Sequence, residues 1–198
     1  MCGYKRKDHY YRRAKNEGYP SRSAYKLKEL DRKEKLFKEG YRVVDVGCWP
    51  GGWSKVALER VGKRGKVVGI DLKENCLVKG ENFLFLNKNV EESDCIGKAL
   101  LFLGDKADIV ISDAAPNTTG VKFADHARSL TLVENVLRFS YSVLREGGSF
   151  LAKVFDGDET ADLVAGMTSH FRRVKRERPG ATRKESFEIY LVARGFKP

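Results

Sequence analysis

Short apolar runs alternate with longer amphipathic stretches along the whole chain. Residues 42–46 (RVVDV), 66–70 (KVVGI), 83–86 (FLFL), 107–112 (ADIVIS) and 149–155 (SFLAKVF) read as strands, rich in branched and aromatic side chains. Apolar runs without strict alternation belong to parallel strands covered on both faces. Between them the spacing changes to the helical period. Leu27 and Leu30 share one face of a helix predicted over residues 24–35, with Ser21-Arg22-Ser23 as its cap. Further helices are predicted over 52–61, 93–103, 125–144 and 159–170, the 125–144 helix being stopped by Gly147-Gly148. The last two runs, 171–176 and 187–193, are separated only by a turn-rich segment, and the second alternates as FEIYLVA. This pair predicts a hairpin, with one strand antiparallel to the rest.

Strands alternating with helices predict an α/β fold, a doubly wound and mostly parallel sheet. In such sheets ligands bind beyond the carboxyl ends of the strands, where the winding reverses. Asp45, Asp71 and Asp113 all fall at or near predicted strand ends. The chain has 198 residues and no internal repeat, which predicts a single domain over 1–198 with a basic extension over 1–40.

Charge changes the picture more than composition does. Residues 1–42 carry 14 Lys and Arg against 6 Asp and Glu, residues 171–198 carry 9 against 3, and residues 43–170 carry 15 against 18. Both ends are basic and the centre is not. Two such segments form one surface for a polyanion if the fold joins them. Lys5, Arg6, Lys7, Arg12, Arg13 and Lys15 are interleaved with Tyr10 and Tyr11, a mixture suited to phosphates and unpaired bases. Arg172, Arg173, Lys175, Arg176 and Arg178 extend it from the other end. No apolar run is long enough for a membrane span, and the basic N-terminus lacks a signal peptide's apolar region, so a cytoplasmic location is expected. Cys2, Cys48, Cys76 and Cys95 form no C-x-x-C pair and read as reduced thiols; no metal is expected.

The candidate chemistry begins with Gly47-Cys48-Trp49-Pro50-Gly51-Gly52, directly after the first strand. Glycines let backbone approach a ligand closely. Asp71, ending the second strand 19 residues past Gly52, is placed to accept hydrogen bonds from ribose hydroxyls. Together they describe a nucleoside-type cofactor. The G-x-G-x-x-G spacing of dinucleotide sites is absent, and Pro50 removes a donor that a pyrophosphate cradle would use. S-adenosylmethionine, a nucleoside without a pyrophosphate, fits better. Trp53 either walls the cofactor pocket or sits in the core. Lys153, inside FLAKVF, is costly to bury unless paired.

SRSAYKL (21–27), VVDVGCWPGGWS (43–54), SDAAPN (112–117), GGSFLAKVF (147–155) and SFEIYLVA (186–193) resemble, in that order, the FtsJ/RrmJ family of RNA 2′-O-ribose methyltransferases. The resemblance implies a Rossmann-like, seven-stranded class I methyltransferase fold and S-adenosylmethionine as methyl donor. It implies a catalytic tetrad of Lys26, Asp113, Lys153 and Glu188, and cofactor contacts from Gly51, Trp53, Asp71, Asn89 and Asp113. Asn89 stands where the family usually has an aspartate, expected to accept from the adenine amino group; an amide oxygen still accepts, without charge. Cys48 stands where alanine is usual. The implied substrate is RNA, a uridine of large-subunit ribosomal RNA, with a tRNA anticodon loop as the alternative that DHYYRRAKNEGY also fits. A binding module that keeps the fold without catalysis has no use for Lys153 in a strand.

Overall fold

The computed structural model describes residues 9–183 and 185–198, which leaves Lys5, Arg6 and Lys7 outside the described residues. A first helix, α1 (His9–Asn16), precedes the predicted elements, and α2 (Ala24–Glu34) follows it. The serines before α2 do not cap it: Ser23 makes no side-chain cap bond, and its hydroxyl pairs with that of Ser21 at 2.8 Å. Ser21 instead packs on the glycine loop, where a Cβ on Gly52 would lie 2.1 Å from its Oγ. The helix ends at Lys35 in the left-handed region, whose N–H bonds the Asp31 carbonyl.

The sheet is built from β1 (Arg42–Val46), β2 (Lys66–Asp71), β3 (Phe83–Asn87), β4 (Ala107–Ser112), β5 (Leu144–Phe155), β6 (Phe171–Glu177) and β7 (Glu188–Phe196). Its order is β3-β2-β1-β4-β5-β7-β6, and β7 runs antiparallel to both its neighbours. This is a class I methyltransferase fold, with the one antiparallel strand where the alternating FEIYLVA run predicts it. The connecting helices are α3 (Gly52–Val61), α4 (Cys95–Leu103), α5 (Lys122–Val143) and α6 (Thr160–His170). The winding reverses between β1 and β4, so the loops after these strands border one crevice.

One boundary differs from expectation. Gly147 and Gly148 lie inside β5 rather than after a helix, because α5 passes directly into the strand at Leu144. The pair absorbs a register shift against β4, between Ala107↔Leu144 and Ile109↔Ser149. Gly147 has φ +74°, and a Cβ on Gly148 would meet the Arg145 carbonyl at 2.8 Å. The glycines permit a bulge, not a helix stop.

Strand alternation sorts the core into two layers. Val44, Val110, Phe150, Val154 and Leu191 face α4, α5 and α6. Val43, Ile109, Ile111, Leu151, Tyr190 and Val192 face α2 and α3. Leu27 and Leu30 put α2 into the second layer, so part of the basic N-terminal segment is core. The two basic ends also meet: Lys175 Nζ bonds Glu34 at 2.6 Å, Arg194 bonds the Lys35 carbonyl at 2.7 Å, and Arg22 bonds the Ala181 carbonyl. Among the described residues, no helix is long and apolar enough to cross a membrane.

Candidate active site

The period of two that builds the second layer also aims polar groups. Lys153 lies two residues beyond Leu151 on the same face of β5, and pairs in register with Tyr190 of β7; Phe155 pairs with Glu188. Lys153 is only 9% exposed, and two contacts tie its ammonium to Asp113, just past β4. Its Nζ donates to the Asp113 carbonyl at 2.6 Å and lies 3.1 Å from Asp113 Oδ1. The Tyr190 hydroxyl donates to the same Oδ1 at 2.9 Å. Across this cluster, Lys26 of α2 forms a close ion pair with Glu188, and its Nζ sits 5.9 Å from the centre of the Tyr190 ring. Residues 26, 113, 153 and 188 are thus brought together from α2, the segment just after β4, β5 and β7.

The charges explain one another. Burial pushes the Asp113 carboxyl up, but the nearby charges of Lys153 and Lys26 and the hydrogen bonds from Lys153 and Tyr190 outweigh it and hold it below its ordinary range. Burial raises the Tyr190 hydroxyl well above its usual value, and the Asp113 carboxylate adds to this, so it stays a donor. Each buried charge has an opposite partner, which is what makes a lysine within an apolar strand tolerable.

Asp113 also belongs to a cavity of about 540 Å³ beyond the strand ends. Gly47, Trp49, Asp71, Lys73, Lys88, Asn89 and residues 113–117 line it, with an apolar floor of Val46, Ile70, Val90, Leu132 and Val136. The glycine loop is pressed against the segment after β4: a Cβ on Gly47, φ +73°, would fall 2.5 Å from Ala114 Cβ. The Trp49–Pro50 peptide is cis. Asp71 ties the loop down, accepting from Trp49 N and Lys73 N at 2.8 Å each. The Trp49 ring lies under Lys73 Nζ at 4.3 Å and keeps 45% of its surface exposed. Asn89 reaches the cavity in an Asx turn, its Oδ1 accepting from Glu91 N at 3.1 Å. Asn87, at the end of β3, instead donates to the carbonyls of Asp71 and Leu72.

Two expected cofactor residues fall elsewhere. The Trp53 side chain is core: it is 2% exposed, its indole donates to the Ser23 carbonyl at 3.0 Å, and its ring packs 5.8 Å from that of Tyr190. Gly51, φ +111°, faces Cys76 and Val78 and does not line the cavity. At both positions the first turn of α3 directs the side away from the crevice, and the loop residues that line it are Gly47 and Trp49. Asp45 is separate as well. It is wholly buried, Ser54 Oγ donates to its Oδ2 at 2.6 Å, and burial raises it to about 8.

The sequence reading passes over Tyr190 and Trp49. Tyr190 carries a usable signal, since it lies two residues past Glu188 in an alternating strand and must share its face. Trp49 carries none. Among the described residues, no group of three or more His, Cys, Asp or Glu side chains is disposed to hold a metal ion.

Comparison with known proteins finds relatives over nearly the whole chain. The chain is 45% identical over 193 residues to the ribosomal RNA large subunit methyltransferase E of Methanothermobacter thermautotrophicus, covering 98% of this chain and 92% of that one. It is 44% identical to the protein of that name from Nitratidesulfovibrio vulgaris, over 98% and 95% of the two chains. A crystallised Plasmodium falciparum chain, described as a ribosomal RNA methyltransferase, superposes with a TM-score of 0.81 at 33% identity, over 90% of this chain and 98% of that one. A family profile described as FtsJ-like methyltransferase matches residues 19–196. With that match over nearly the whole fold, the chain belongs to the FtsJ-like methyltransferase family.

Proposed function

We propose that this protein transfers the methyl group of S-adenosylmethionine to a ribose 2′-hydroxyl of RNA, and that the RNA is a uridine site of large-subunit ribosomal RNA. The observation that carries the proposal is that Asp113 belongs to both parts of the site. It lines the cavity and it is the acceptor on which Lys153 and Tyr190 converge.

The cavity suits a nucleoside. Asp71 retains lone pairs beyond its two backbone bonds for ribose hydroxyls, Asn89 offers an amide to a base edge, and the apolar floor suits an adenine face. When bound, S-adenosylmethionine supplies an electrophilic methyl on sulfur. Everything else falls to the chain. Lys153 has spent two donors on Asp113, and its third N–H is left to hold the ribose hydroxyl oxygen. Lys26, fixed by Glu188, adds positive charge to the cluster, which favours the oxygen becoming negative as its proton passes to solvent water. Holding the hydroxyl in line removes much of the entropic barrier, up to about 7–11 kcal/mol in the best cases.

The joined basic ends supply affinity for phosphates. Arg12 and Arg13 on α1 and Arg172, Arg173 and Arg176 on β6 are exposed, and such contacts bind without choosing sequence. The large-subunit assignment draws on what the relatives are named for. The test offers radiolabelled S-adenosylmethionine with ribosomal subunits and, separately, with deproteinised tRNA, followed by nucleoside mapping. Label in 2′-O-methyluridine from the large subunit is expected. Label in tRNA alone would move the substrate to the anticodon loop, and base-methylated nucleosides would overturn the reaction.

A further inference from the structure

Two large apolar side chains that stay exposed, Trp49 at 45% and Leu72 at 71%, both line the cavity. An indole left half in water forgoes much of the gain that burial brings, and a ligand that covers it recovers that gain. Trp53 offers no such surface, because its ring is already in the core.

The backbone fixes where the Trp49 ring stands. Asp71 Oδ2 accepts from Trp49 N and Asp71 Oδ1 accepts from Lys73 N, each at 2.8 Å. The turn that leads to Lys73 is pinned in its own right. Asn87 Nδ2 donates to the Asp71 and Leu72 carbonyls at 3.0 Å each, and Lys88 N donates to the Asp71 carbonyl at 3.1 Å. The two residues whose amides clasp the carboxylate also bring their side chains together, Lys73 Nζ lying 4.3 Å from the Trp49 ring centre. A cation over an indole is attracted to the ring face and restrains its orientation. Each Asp71 oxygen keeps a further lone pair. A ribose whose hydroxyls take those lone pairs lies beside the Trp49–Lys73 pair. The tetrad is at the other end of the cavity. Asp113 follows β4, which β1 separates from β2, so it stands two strand positions from Asp71, about 10 Å across the sheet.

We propose that Trp49 is a cofactor-binding residue whose indole packs against the nucleoside half of S-adenosylmethionine, and that Lys73 is a positioning residue that holds the indole there. The inference rests on the cofactor assignment proposed above. It gives the loop after β1 a side-chain contact with the ligand in addition to its close backbone approach. It also separates two tasks: Trp49 and Lys73 set cofactor affinity, and the tetrad directs the RNA hydroxyl.

The chain has two tryptophans, and the Trp53 indole is buried and bonded to the Ser23 carbonyl, so a change in tryptophan emission on cofactor binding reports Trp49. The test titrates the full-length protein with S-adenosylmethionine, followed by calorimetry and by emission. A saturable emission change is expected in the wild type. Trp49→Ala should weaken binding about tenfold, the scale of one aromatic stacking contact. S-adenosylhomocysteine, with the same nucleoside and no methyl, should lose affinity by the same factor. Trp49→Phe should restore affinity to within about threefold of wild type while abolishing the emission change. Lys73→Ala should cost about threefold, and nothing more when added to Trp49→Ala, because it acts through the ring. The KM for RNA at saturating cofactor should not move. Unchanged affinity in Trp49→Ala, or an emission change that survives Trp49→Phe, would overturn the proposal. A raised KM for RNA with cofactor affinity intact would overturn it by giving the ring to an RNA base. A loss confined to S-adenosylmethionine would overturn the nucleoside contact by placing the ring at the sulfonium. A Lys73→Ala effect that persists without the indole would remove Lys73 as its support. A wild-type chain that bound no S-adenosylmethionine in the calorimeter would overturn the cofactor assignment itself, and this inference with it.

Discussion

The tetrad and the cavity meet at Asp113 but are built in opposite ways. Lys26, Lys153, Glu188 and Tyr190 stand on a helix and two strands, Lys26 half-buried and the others buried, each polar group answered by another within the protein. The cavity is lined mainly by loops, and several of its polar groups are answered by backbone: Asp71 by Trp49 N and Lys73 N, Asn89 by Glu91 N. The contrast teaches where precision is needed. Directing a weak nucleophile requires groups locked by packing. Holding a nucleoside requires close backbone approach, which glycine loops provide.

The comparison breaks most visibly at Lys153. Lys153→Ala is expected to lower methyl transfer by about 10³-fold. S-adenosylmethionine affinity, read by calorimetry, should stay within a few-fold of wild type; loss of both together would mean that tetrad and cavity are not separable. Trp53→Ala attacks the packing beneath the tetrad instead. Removing a buried Trp is expected to cost about 3–5 kcal/mol of stability in urea unfolding. At temperatures where the variant stays folded, cofactor affinity should be nearly unchanged, because the indole does not line the cavity.

Asp45 provides a third test, through pH. Its folded value, raised to about 8, exceeds its unfolded value near the ordinary carboxylate range. The folded state therefore holds a proton that the unfolded state has lost, and wild-type stability should fall as pH rises through that window, by at most about 1.4 kcal/mol per pH unit. Asp45→Asn keeps an acceptor for Ser54 and removes the titration, so its thermal midpoint should be flatter between pH 5 and 8. An identical slope in both proteins would remove Asp45 as the cause. The smallest effect is expected at Asn89. Asn89→Asp should leave S-adenosylmethionine affinity unchanged or tighten it a few-fold, since carboxylate and amide oxygens both accept. A large loss would mean that Asn89 does not meet the adenine.

The order of strands and helices was legible in the chain because each is a local pattern. Apolar runs at β1, β2 and β4, the helical period at Leu27 and Leu30, and the alternation of FEIYLVA each depend only on near neighbours. Lys153 stood out for a related reason: a charge inside an apolar strand needs a partner. The choice of partner was not local. Register between β5 and β7 sets Lys153 opposite Tyr190, and a bulge at Gly147-Gly148 sets where β5 runs against β4.

What the sequence by itself determined was the alternation of elements, the acidic strand ends and the residues of a family motif, since periodicity and short spacings survive without a third dimension. Only the tertiary structure decided that Trp53 is core and Trp49 lines the cavity, that Tyr190 completes Asp113, and that the two basic ends share a side. Those facts depend on which way a side chain points once distant segments pack, and packing is a property of the whole sheet rather than of any stretch within it.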